Sequence, residues 1–229
     1  MNRLFILITF LTSSAVFAQD VIELPSSSTK VIVKLAFKNG SMCDPVGKEG
    51  LTNLTASLIA ETGSDQYTKS EINDLLYPMA ANYSSFTDKE MTTFTFAVHS
   101  DFLEEFYDII RGVILNPSFA QSDFERIKSN LEVYVKEIIK ANSDEDFSKM
   151  ALEEQLFEGT RYAHMKEGTI SGLASITRED VVAHYKKYFT SKNVLIGIAG
   201  KYDQRFLDKI KLARRDPVDS VSSSRLGLV

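Results

Sequence analysis

From Lys30 to Lys38 the chain reads Lys-Val-Ile-Val-Lys-Leu-Ala-Phe-Lys, with apolar and polar residues alternating over most of its length. A period of two sends successive side chains to opposite faces, so the segment predicts a half-buried strand. A half-buried strand needs neighbours in a sheet and a second layer over its apolar face. Asn39-Gly40 turns the chain after it. Asn82 to Phe86 and Met91 to His99 predict a hairpin joined around Thr87-Asp88-Lys89, its second strand rich in β-branched and aromatic residues. Asn193 to Ala199 is continuously apolar apart from its first residue and its glycine, as a buried strand should be, and ends at Gly200.

The segments between these strands carry helical signals. Lys48 to Glu61 predicts one helix, with Gly63 as its stop, and Ser70 opens a short one through Ala80. Asp101 caps a helix from Phe102 to Leu115, closed by Asn116-Pro117. Ser122 to Lys140 is a long helix, and Ser143 to Phe157 another, opening on Asp144, Glu145 and Asp146. That trio suits the positive end of a helix, a simpler reading than a cation site. Thr177, with Asp180 three residues on, opens a helix to Phe189, and a last helix runs from Asp203 to Leu212. The order predicts an α+β fold, a two-layer sandwich with helices packed on one face of a mostly antiparallel sheet.

The 229 residues, 44% of them apolar and 25% charged, are ordinary for a globular chain with a sizeable core. A net charge of -5 without long single-sign runs argues against nucleic acid or an anionic membrane as the main partner. Cys43 has no second cysteine to pair with. Asn2 and Arg3 precede an apolar run from Leu4 to Leu11 and a small-residue pattern at Val16-Phe-Ala18. These predict a signal peptide over residues 1–18, cleaved after Ala18, and export to the periplasm or medium; an uncleaved anchor is the alternative. Asn53-Leu-Thr55 and Asn82-Tyr-Ser84 match glycosylation acceptors, a triplet common by chance.

The stretch from Asp44 to Gly63, Asp-Pro-Val-Gly-Lys-Glu-Gly-Leu-Thr-Asn-Leu-Thr-Ala-Ser-Leu-Ile-Ala-Glu-Thr-Gly, resembles the first active-site helix of the insulinase-like metallopeptidases, the family of pitrilysin and the mitochondrial processing peptidase. Three later stretches resemble the family in the same order: Leu115-Asn-Pro-Ser-Phe119 with Phe124-Glu-Arg-Ile-Lys128; Leu156-Phe-Glu-Gly-Thr-Arg-Tyr162 with Gly168-Thr and Leu173; and Ile176-Thr-Arg-Glu-Asp-Val-Val followed by Tyr185, Phe189 and Asn193 to Gly200. The likeness covers roughly Lys30 to Gly200, within a domain assigned to residues 19–212.

In that family the helix carries H-x-x-E-H: two histidines bind zinc and the glutamate between them is the general base. Here the histidine positions hold Asn53 and Ser57, and the base position holds Ala56. The family's third ligand, a glutamate on the long downstream helix, aligns with Tyr134, and its supporting glutamate with Ile127. Glu132 and Glu137 lie nearby on other faces of that helix. Zinc lowers the pKa of its water only when firmly held, and an amide, a hydroxyl and a phenol are poor donors to it. The resemblance therefore implies a zinc-free pseudoenzyme with no cofactor and no catalytic residue of its own.

No other constellation carries chemistry. His99, His164 and His184 have no ligand spacing and read as solvent-facing or capping residues, and Cys43 as a small half-buried one. No nucleophile elbow or phosphate-cradling glycine loop is present. By resemblance, members lacking the motif pair with a catalytic subunit carrying H-x-x-E-H, the two enclosing an unfolded peptide. The family adds that peptide as a strand to a sheet edge. The corresponding edge here is the Asn82, Tyr83, Ser84, Ser85, Phe86 segment with its hairpin partner. Complete subunits repeat the domain, whereas residues 213–229 read as a disordered tail, so a truncated remnant is one alternative. A metallopeptidase with other ligands is another.

Overall fold

The computed structural model describes residues 21–140 and 144–213. The signal-peptide reading and all of the tail reading except Ala213 lie outside the described residues. Val31, Val33, Leu35 and Phe37 share one face of strand β2 (Lys30–Phe37), which places β2 at the centre of a five-stranded sheet. The other strands are β1 (Val21–Pro25), β3 (Asn82–Thr87), β4 (Thr92–His99) and β5 (Val194–Gly200), in the order β1-β5-β2-β4-β3. β2–β4, β2–β5 and β3–β4 are antiparallel and β1–β5 is parallel.

Register carries the apolar face across the sheet. Val33 stands opposite Phe96 on one side and Ile198 on the other, and Leu35 opposite Phe94 and Ile196. Phe94 packs edge-on to Phe37 at 6.0 Å, and Phe37 meets Phe189 at 5.0 Å. Full burial of such a side chain is worth about 1.5–3 kcal/mol, so this aromatic seam is a main source of stability. On the opposite face Ile22, Leu24 and Phe86 are more than half exposed.

The helices cover the first face: α1 (Leu51–Glu61), α2 (Lys69–Leu76), α3 (Leu103–Leu115), α4 (Gln121–Lys140), α5 (Asp144–Leu156), α6 (Ile170–Ser175), α7 (Arg178–Tyr188) and α8 (Gln204–Ala213). The α+β two-layer sandwich with a mostly antiparallel sheet is thus the observed fold. α1 is central, packing on β3, β4, α3, α4 and α7. No helix of the described residues is long and apolar enough to cross a membrane.

Several boundaries differ from the sequence reading. α2 starts at Lys69 and stops at Leu76, because Thr68 rather than Ser70 closes a capping box with Glu71. α3 starts at Leu103, after a short 3-10 turn capped by the His99 side chain. The turn between β3 and β4 is Asp88 to Met91, closed by the Asp88 N–H on the Met91 carbonyl at 2.9 Å. Two elements escaped the sequence reading. β1 is five residues long, ends on a proline and shows its alternation only against β5, and α6 is a six-residue helix capped by Thr169. Thr177 and Asp180 do form the capping box of α7.

Candidate functional site

α1 begins at Leu51, not Lys48, because Gly50 before it sits at φ +103°, in left-handed backbone. Gly50 has no side chain to cap the helix. Asp44 does so from upstream: Oδ2 accepts the Gly50 N–H at 2.7 Å and Oδ1 the Thr52 N–H at 2.7 Å. A carboxylate here satisfies free amides and meets the positive end of the helix dipole.

Asp44 also anchors a buried polar chain. The Thr52 hydroxyl donates to Asp44 Oδ1 at 2.6 Å and lies 3.0 Å from His184 Nε2. A hydroxyl has one proton, given to Asp44, so His184 Nε2 carries a hydrogen and donates to Thr52. His164 Nε2 bridges the Ser41 carbonyl at 3.0 Å and Asp44 Oδ2 at 3.3 Å. His184 is 4% exposed, which corrects its reading as a solvent-facing or capping residue. Its burial holds the imidazole pKa down at about 4, against a partial pull upward from Asp44, so the ring is neutral at pH 7. The chain fixes the start of α1.

Past that start, Leu51, Leu54, Leu58 and Ile59 point into the core, while Asn53 and Ser57, four residues apart on one face, are half-exposed. Ala56 is 1% exposed, its methyl part of the core. On α4, Ile127 is 3% exposed and Tyr134 51%. Tested as a zinc site, this donor set does not fit. An amide, a hydroxyl and a phenol are not the anionic and imidazole donors zinc requires, and Ala56 offers only a methyl group. Among the described residues no group of three or more His, Cys, Asp or Glu is placed to hold a metal. No hydrolytic step can be routed through these residues.

Among the described residues no strand pairs with the outer edge of β3, beside this helix. Ser100 N–H bonds the Thr29 carbonyl at 2.7 Å, which with the β2–β4 register makes Phe94, Phe96 and Val98 exchange hydrogen bonds with β2. Thr93, Thr95 and Ala97 therefore bond β3, at Phe86, Ser84 and Asn82. The candidate peptide-binding segment accordingly divides. Asn82, Ser84 and Phe86 spend their backbone groups on β4, whereas Tyr83 and Ser85, with Thr87, turn theirs to the outer edge. α1 runs alongside β3. Near its start Ser41 N–H bonds the Asp88 carbonyl at 2.9 Å, and at its far end Lys69 ties the Ala60 carbonyl to the Tyr83 hydroxyl.

Fold and site together define a two-layer α+β domain in which no metal-binding group is found among the described residues. A sequence model described as insulinase (peptidase family M16) matches residues 21–169, more than half of the chain, and the chain belongs to that family. It is similar to the non-peptidase homolog YmxG of Helicobacter pylori, 23% identical over 175 residues, covering 75% of this chain and 40% of the relative. It is also similar to a probable mitochondrial-processing peptidase subunit beta of Arabidopsis thaliana, 23% identical over 181 residues, covering 76% and 34%. Among solved structures, a peptidase M16 inactive domain from Pseudomonas fluorescens superposes with a TM-score of 0.77 at 20% identity, over 85% of this chain and 47% of that one. A protease from Helicobacter pylori superposes at 0.75 and 13%, over 85% and 46%. This chain spans between about a third and a half of the length of these proteins. One fold thus serves a structure named a protease and another named inactive.

Proposed function

We propose that this chain is an exported, non-catalytic member of the insulinase family that binds extended peptide along β3 and supports a catalytic subunit carrying H-x-x-E-H. One observation carries the reading: the edge strand β3 lies beside α1, where the residues that align by resemblance with the family's ligands and base are Asn53, Ser57 and Ala56. Strand addition needs only the outward-turned backbone groups of Tyr83 and Ser85, which do not depend on metal ligands. The partner is supported by the similarity to a processing-peptidase subunit, and the lack of activity by the similarity to a protein named a non-peptidase homolog. Export rests on the basic start, apolar run and small-residue pattern before Gln19.

The test is reconstitution. The purified chain is assayed for zinc by elemental analysis and for cleavage of unfolded peptides, alone and with a family member carrying H-x-x-E-H pulled down from the native host. The expected result is no stoichiometric zinc and no cleavage alone, with raised turnover or affinity in the pair. Chelator-sensitive cleavage by the chain alone would overturn it.

A further inference from the structure

We propose that Lys69 makes the β3 edge selective for peptides that place a carboxylate opposite Tyr83. The inference rests on the strand-addition reading and specifies its ligand. Lys69 is the first residue of α2 and is half-buried. Its ammonium donates to the Ala60 carbonyl at 2.9 Å and to the Tyr83 hydroxyl at 2.9 Å, and lies 4.2 Å from the centre of the Tyr83 ring. An ammonium has three donors, and these contacts use two.

An ammonium drawn out of water is best stabilised by an opposite charge. Among the described residues none stands within ion-pair distance of Lys69; Glu61 acts on it only from farther off. Burial lowers the Lys69 pKa more than Glu61 raises it, the sign of a cation whose lost hydration is not fully replaced. A lysine that merely capped the last carbonyls of α1 would sit as well in solvent. This one sits beside Tyr83, whose backbone groups turn to the open edge.

Directly opposed residues of neighbouring strands point their side chains to the same face, about 5 Å apart. A strand added to β3 therefore sets the side chain opposite Tyr83 on the side where Lys69 waits. An Asp or Glu there supplies an anionic acceptor for the third donor; a peptide's terminal carboxylate offers the same chemistry when the chain ends at that register. Charge complementarity thus favours an acidic extended peptide over a neutral one.

Fluorescence anisotropy with the full exported chain tests this, using three labelled ten-residue Thr/Val peptides: central Glu with an amidated end, central Gln with an amidated end, and central Gln with a free end. The Glu peptide should bind about tenfold tighter than its amidated Gln counterpart, the gain of a charge-assisted hydrogen bond. Lys69→Met should abolish that ratio and Lys69→Arg keep it. The ratio is taken within each variant, so altered stability cancels. A free-ended Gln peptide that matches the Glu peptide assigns the carboxylate to a chain terminus. Equal affinities, or a preference that survives Lys69→Met, overturn the inference while strand addition stands. Binding of no peptide overturns strand addition and the inference together.

Discussion

Asp44 and Thr52 meet twice: the carboxylate accepts both the Thr52 backbone N–H at 2.7 Å and its hydroxyl at 2.6 Å. The side chain of Asp44 is fully buried. Asp44→Ala strands the Gly50 and Thr52 amides at a helix start and should cost about 3 kcal/mol. Thr52→Val, nearly isosteric, strands only the His184 donor and one carboxylate lone pair and should cost about 1–2 kcal/mol. Urea unfolding of both variants checks the order.

Stability should fall as the solution is acidified through the range set by His184. Its pKa is about 4 in the fold against 6.5 when solvated, so the unfolded chain takes up a proton first as pH drops. The contribution is complete above about 6.5 and gone below about 4, at most on the order of 3 kcal/mol. His184→Gln keeps an N–H donor but cannot titrate. Its urea midpoint should vary less than the wild type's between those pH values.

Proline at neighbouring positions of β3 should have opposite consequences. Ser85 turns its N–H to the open edge, so Ser85→Pro spares the β3–β4 ladder, costs about 1 kcal/mol or less and abolishes strand addition. Ser84 bonds β4 at Thr95, so Ser84→Pro breaks the ladder and should cost about 3 kcal/mol. Thermal melts paired with peptide anisotropy separate the two effects.

Two glycines with similar backbone should also part company. Gly159 (φ +76°) has nothing within 4 Å of a built Cβ, so Gly159→Ala pays only left-handed strain, about 1 kcal/mol. Gly168 (φ +102°) would drive a Cβ to 2.3 Å from the Glu49 carbonyl oxygen and 2.6 Å from Gly50 Cα. Gly168→Ala should therefore cost about 3 kcal/mol or more and loosen the start of α1, measurable as faster amide exchange at Gly50 and Thr52.

Much of the fold was legible because its signals are local. The alternation in β2, the β-branched and aromatic run of β4 and the Thr177–Asp180 box each lie within a few residues and appear as expected. β1 escaped because a five-residue edge strand ending at Pro25 has too short a pattern to stand alone. The helix start at Lys48 was misplaced because its cap is Asp44, six residues before Gly50, rather than an adjacent side chain. His184 was misread because its neighbour Thr52 lies 132 residues away in sequence. Lys69 was missed for a like reason: a lysine at a helix start signals nothing until α1 and β3 are brought to it.

By itself the sequence determined that Asn53, Ala56, Ser57 and Tyr134 bring only an amide, a methyl, a hydroxyl and a phenol, which are poor zinc donors and include no base. Those are properties of covalent identity, and no folding alters them. Only the tertiary structure decided that β3 is an edge with the backbone groups of Tyr83 and Ser85 turned outward, that His184 is buried and neutral, and that Lys69 stands beside that edge. Each depends on contacts between distant segments, which hydrogen-bond register and burial fix and local periodicity does not.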